Sequence, residues 1–191
     1  MQKNLNLKAI LVAVPFLFCT SAFAQMAVHA VSGTVKAIND NSKTIDVATD
    51  GGSAMQFKIA SGSKADMDFD HDLRSATVDA GKFHGVGNFV IVYYYGFGDD
   101  RTAVAIKDLG QRPLQKVTGT VVSFNKQDDV LTVRDKSGAS HTFALNDQVI
   151  VDMWDGVDTG KKYEPHKGHR VRVTYSTAGT QSVPVFIRTL G

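Results

Sequence analysis

The sequence predicts an all-β protein: two tandem, small, five-stranded barrels behind a cleaved signal peptide. Three observations predict it. Apolar residues recur at every second position in short runs bounded by Gly, Asn and Asp. The chain is similar to itself at a fixed offset of 86 residues. Its first 24 residues have the three-part pattern of an export signal.

The N-terminus comes first. Lys3 and Lys8 make a positive region without acids. Ala9 to Phe18 is an apolar run of ten residues, and Ser21-Ala22-Phe23-Ala24-Gln25 places small residues where a signal peptidase reads them. Cleavage is expected after Ala24. The apolar run is too short for a membrane span, which needs about 20 residues. Removal of 24 of the 191 residues leaves 167, with 19 basic and 19 acidic groups. The only Cys, Cys19, leaves with the signal, so no disulfide, thiol nucleophile or thiolate metal site is expected. No second apolar stretch reaches spanning length. The expected location is periplasmic or secreted.

Val31-Ser32-Gly33-Thr34-Val35 returns as Val117-Thr118-Gly119-Thr120-Val121, and the match continues without a gap to Ile59 and Leu145. After a five-residue deletion it resumes at an offset of 81, where Gly87, Val90, Val92 and Tyr94 meet Gly168, Val171, Val173 and Tyr175. The expected units are residues 27–110 and 115–191, joined by the Pro-containing linker 111–114.

Within each unit the strands follow from alternation. Val31, Gly33, Val35 and Ala37 define the first, Ile45 and Val47 the second, and Met55, Phe57 and Ile59 the third. Val90 and Val92, then Val104 and Ile106, define two more. Asn39-Asp40-Asn41-Ser42, Asp50-Gly51-Gly52 and Gly96-Phe97-Gly98-Asp99-Asp100 are the turns between them. Five strands in about 75 residues suit a closed barrel, since an open sheet of that size exposes two edges. A small sandwich has similar strand content and stays open as an alternative. Gly33 and Gly119 stand inside first strands, where a missing side chain permits the bend that closure needs.

These motifs together resemble small OB-like, Greek-key β-domains of exported bacterial proteins, a family of unknown function that often occurs in tandem. The residues that carry the resemblance are Val-x-Gly-Thr-Val, Ile/Leu-x-Val, a Gly turn, Phe-x-Ile/Leu, Gly before Val-x-Val, and a closing Ile/Leu pair. It implies the fold and supplies no catalytic residues. The general shape is also similar to periplasmic OB-type copper chaperones, which use His, Met and Trp; that is an analogy of shape.

Four residue groups are candidates for function. Asp66, Asp68, Asp70 and Asp72 offer hard oxygens at alternate positions for Ca²⁺, yet His71 and Thr77 stand where a calcium loop needs Gly and Glu. Alternation with Met67, Phe69 and Leu73 reads more readily as an amphipathic edge with its acids in water. His166 and His169, with Glu164 nearby, offer imidazoles for Cu²⁺, Zn²⁺ or Ni²⁺, but without a third ligand at proper spacing. Met153-Trp154 and Met26-His29 offer thioethers and a ring face for Cu(I), with core packing the commoner use of such residues. Finally, Tyr94, Tyr175, Lys161, Lys162, Arg170 and Arg172 form an expected aromatic and basic surface for a glycan, lipid headgroup or small ligand. Val171 and Val173 should face inward and the arginines outward.

Charge separates the units. Residues 27–110 carry eight basic and eleven acidic groups, net −3, and residues 111–191 carry eleven and eight, net +3. That favours docking of the units or self-association. Export makes nucleic acid an unexpected partner. Catalytic motifs are not seen, and Glu164 is the only Glu. The expectation is a non-enzymatic binding or interaction module of the bacterial envelope without a cofactor. The alternative is a periplasmic metal-binding protein, for copper or calcium, using His, Met and Asp.

Overall fold

The computed structural model describes residues 27–60, 73, 77–111 and 113–190. The signal segment 1–24 and the acidic run Asp66, Asp68, Asp70 and Asp72 lie outside the described residues. The described chain is all-β. One sheet contains β1 (His29–Asn39), β2 (Thr44–Thr49), β3 (Ala54–Ile59), β4 (Val78–Asp79), β5 (Phe89–Tyr95) and β6 (Thr102–Gly110). The other contains β7 (Gln115–Asn125), β8 (Val130–Asp135), β9 (Ser140–Ala144), β10 (Ile150–Met153), β11 (Gly156–Thr159), β12 (Arg170–Ala178) and β13 (Gln181–Leu190).

The first sheet runs β3-β2-β1-β5-β6-β4, and β3 also pairs with β6 in parallel, Lys58 with Thr102 and Ile59 with Ala103. That pairing closes the five expected strands into an OB-like barrel. The second sheet runs β11-β10-β13-β12-β7-β8-β9. Here β10 takes the edge of β13 in parallel, Ile150 with Phe186 to Asp152 with Arg188, and no ladder joins β9 to β13 among the described residues. Each sheet thus adds to the expected five strands: β4 in the first, and the β10–β11 hairpin in the second. The hairpin lies between the third and fourth expected strands of its unit. Its signals are the apolar run Val149-Ile150-Val151 and the turn pair Asp155-Gly156, where Gly156 has φ +137°.

Local geometry recurs at the sequence offset of 86. Ile59 N–H donates to Lys43 O, and Leu145 N–H donates to Asp129 O. Lys43 and Asp129 both take positive φ, 52° and 51°. The ladder of β1 with β2 bulges between Val35 and Ala37, and that of β7 with β8 between Val121 and Ser123. At the offset of 81, Gly87 N–H and Gly168 N–H reach back to Val35 O and Val121 O.

Three apolar clusters hold the molecule. Val35, Ile45, Val47, Phe57, Val90, Val92 and Ile106 fill the first sheet. Val121, Leu131, Val133, Phe143, Val171, Val173 and Ile187 fill the second. The third cluster joins the sheets: Ile91, Tyr93, Val104 and Ala105 meet Ile150 and Phe186. Consequently β5 is buried on both faces, which explains its unbroken apolar run Phe-Val-Ile-Val-Tyr-Tyr-Tyr.

Two carboxylates bond across the same contact. Asp50 accepts from Ser32 Oγ at 2.6 Å and from Thr174 Oγ1 at 2.7 Å. Asp152 accepts from Ala30 N–H at 2.9 Å. The contact between the sheets thus joins an apolar cluster to a small set of polar bonds, and Lys116 Nζ of the second sheet stands 3.8 Å from Asp50 of the first.

Candidate functional site

Beside the contact of the sheets lies a cleft of about 570 Å³, within the size range of small-molecule sites. β1, β3 and β5 bring His29, Met55 and Tyr94 to it; β10 and β13 bring Asp152, Met153 and Arg188. Two turns supply its exposed rings. Gly96, at φ +89°, lies so close to the following turn that a Cβ there would stand 2.4 Å from Asp100 O. This tight reversal turns Phe97 outward, 80% exposed. Trp154 occupies the β10–β11 turn and is 77% exposed. Large aromatic side chains left this open are unusual on a surface built only for packing.

The floor is polar and ordered. Asp152 is buried and accepts from Ala30 N–H, from His29 Nδ1 at 3.2 Å, and faces Arg188 Nε at 3.5 Å. Burial pushes its carboxyl above the usual range, opposed by the Ala30 hydrogen bond and by the Arg188 and His29 charges. A carboxylate only accepts, so His29 Nδ1 is the donor in this bond. The ring centroid of His29 is 6.2 Å from that of Tyr94 and 6.3 Å from that of Phe97. Burial pushes the Tyr94 hydroxyl up, while a hydrogen bond and charge from Arg188, and charge from Arg101, pull it down.

Of the expected surface set, only Tyr94 lines this cleft, and it is a buried residue. Its ring packs on Phe57 at 5.1 Å, and that of Tyr175 packs on Phe143 at 5.3 Å. Both tyrosines are core residues, which corrects their expected place on the surface; neighbouring Tyr93 is fully buried between the sheets. The alternation of β5 and β12 sends these rings inward. Lys161 and Lys162 are exposed on the turn Gly160–Lys162, and Lys162 pairs with Asp158 at 3.4 Å. Arg170 is exposed. Arg172 is half-buried, donating from Nε to Thr118 Oγ1 at 3.2 Å, while Val171 and Val173 are buried. These residues are not brought together.

His166 and His169 are exposed, with ring centroids 5.2 Å apart and perpendicular planes. Glu164, expected to support them, pairs with Lys126 instead. No group of three or more His, Cys, Asp or Glu able to hold a metal ion occurs among the described residues. Met153 packs against the second core as expected, but Trp154 does not. A Trp followed by Asp-Gly stands in a turn, and that signal was available. Phe97, read only as part of a turn, and Met55, Arg101, Asp152 and Arg188 are the members of the site that sequence reasoning missed.

The fold and the cleft define an all-β protein of two packed, barrel-like sheets, with a cleft of small-molecule size beside their contact. No protein-family model and no curated protein matches the chain. Among solved structures, CusF with Ag(I) from Escherichia coli is 14% identical, with 41% of this chain aligned to 94% of that one at a TM-score of 0.32. A likeness of that degree says nothing of what this chain binds.

Proposed function

We propose that this is a non-enzymatic binding protein of the bacterial envelope, and that its ligand sits in the cleft beside the contact of the two sheets. One observation carries the reading: Phe97 and Trp154, both largely exposed, line a cleft whose polar floor is already bonded together. Rings held on short turns offer contact area at little entropic cost, and a prebonded floor needs little rearrangement. The export pattern of residues 1–24 supports the location, and among the described residues no helix is long and apolar enough to cross a membrane. Trp154 is the only Trp of the chain, so its emission reports on the cleft alone. Titration with a panel of small molecules should give saturable changes in that emission, lost in Phe97→Ala. Saturable binding that leaves Trp154 emission unchanged would place the site elsewhere.

A second reading, binding of a soft monovalent metal such as Cu(I), is favoured by one feature. Met55 and Met153 thioethers line the same cleft as His29, whose bond to Asp152 fixes the ring as in many metal-ligating histidines. Ag(I) should then raise the melting temperature, and the rise should vanish in Met55→Leu and Met153→Leu.

A further inference from the structure

We infer that the ligand of this cleft is a small aromatic monoanion, a planar ring bearing one carboxylate, held with its ring between Phe97 and Trp154 and its charge toward Arg101. The inference rests on the reading of the cleft as the binding site and adds the class of ligand.

The charges decide the sign. Two guanidiniums and one carboxylate line the cleft: Arg101, Arg188 and Asp152. All three share that lining with Tyr94. Asp152 and Arg188 face each other at 3.5 Å. Arg101 has no ion pair among the described residues. Of the acids next to it in sequence, Asp100 is taken by Lys58 at 2.8 Å, and Asp99 does not line the cleft. One positive charge is therefore left over on the lining, where an anion is attracted and a cation repelled. A guanidinium also presents a planar fork that matches a carboxylate.

The walls decide the rest of the ligand. Phe97, Trp154, Met55, Met153 and Leu190 are apolar, and thioethers pack well against aromatic rings. Apart from the charged groups, His29, Tyr94 and the Trp154 indole N–H, Thr189 is the only polar side chain on the lining among the described residues. A sugar acid would leave most of its hydroxyls without partners, at a cost for each one buried. A flat ring with a single anionic group leaves none.

The test uses the mature full-length chain and five probes: phenylacetate, its neutral amide, phenethylamine as the cation, glucuronate as a sugar acid, and Ag(I). Binding is read by Trp154 emission and by calorimetry. Phenylacetate should bind about tenfold more tightly than the amide, the value of one charge-assisted hydrogen bond, and phenethylamine more weakly than either. Arg101→Gln should remove the advantage of the acid and leave the amide unchanged, and Arg101→Lys should restore most of it. An unchanged melting temperature in both variants separates this effect from unfolding. Equal binding of acid and amide, tighter binding of the amine or of glucuronate, or binding of Ag(I) alone would each overturn the ligand class and leave the cleft as the site. If no probe moves Trp154 emission, with or without heat, the reading of the cleft falls as well.

Discussion

Gly33 and Gly119 give the sharpest test of how these sheets are built. Gly33 lies opposite Thr49 of β2 and Val90 of β5. A Cβ on Gly33 would stand 2.4 Å from Ala48 O, 2.7 Å from Val47 Cγ1 and 2.8 Å from Thr49 Cα. Ordinary contact begins at 3.4 Å, so the neighbour must retreat by 3.4 − 2.4, or 1.0 Å. That neighbour is backbone in a strand whose Ile45 and Val47 are in the core, and it cannot swing aside. Overpacking of this kind costs about 1–3 kcal/mol, and contact with backbone argues for the upper end. Replacing a strand glycine regains about 0.5–1 kcal/mol, which leaves a loss of about 2 kcal/mol. For a chain of this length that is a fall of about 4–8 °C in melting temperature. Gly119→Ala should behave alike, because its Cβ would stand 2.3 Å from Arg134 O. Gly81→Ala is the control, meeting only Ile59 Cγ2 at 3.6 Å. Urea denaturation followed by far-UV circular dichroism measures all three. Variants at 33 and 119 within about 0.5 kcal/mol of the parent, or a control that loses as much, would refute the reasoning.

Asp152 predicts an unusual acid response. Its carboxyl is raised by burial, so from the ordinary value of 3.8 upward to its raised one the folded chain binds more protons than the unfolded. Stability from this group therefore falls as pH rises through that window, and melting curves of Asp152→Asn should lose the slope there. Asp100 and Asp135 are held below the usual range, the first by Lys58 and the second by Ser137 and His141, so their contribution is lost only as pH falls below 3.8. Asp50→Ala should cost about 1–3 kcal/mol, since it deprives the buried Ser32 and Thr174 hydroxyls of a shared acceptor; Asp50→Asn should cost less, and thermal denaturation compares them. Trp154→Ala should leave stability within about 0.5 kcal/mol, as the ring is mostly in water, while weakening the binding of every probe measured by calorimetry.

Much of the fold was legible in the sequence because its signals are local. Alternation at Ile45 and Val47 sets one face of β2 inward whatever it packs against. The two halves share turn residues at fixed spacing, and positions as unlike as Lys43 and Asp129 take the same left-handed backbone. Gly33 and Gly119 were expected to permit a bend; the ladder irregularities fall after Val35 and Val121, and the glycines make room for the neighbouring strand. The β10–β11 hairpin was less legible, because Val149-Ile150-Val151 is too short to separate a strand from other buried backbone.

The site was legible only in fragments. Trp154 and His29 were noticed, but Met55 and Met153, or Arg101 and Arg188, are far apart in the chain, and no spacing rule links them. Their meeting depends on the second face of β5, which buries Ile91 and Tyr93 against Ile150 and Phe186. That contact carries Tyr94 to the floor of a cleft and leaves Phe97 and Trp154 on its lining. Residue pattern alone determined the five shared strands of each half and the turns between them, because alternation and turn conformation act over a few residues. Tertiary structure decided that β3 pairs with β6 while β13 takes β10 on its edge, and which side chains share a cleft. Those outcomes depend on long-range packing between faces that look alike in sequence.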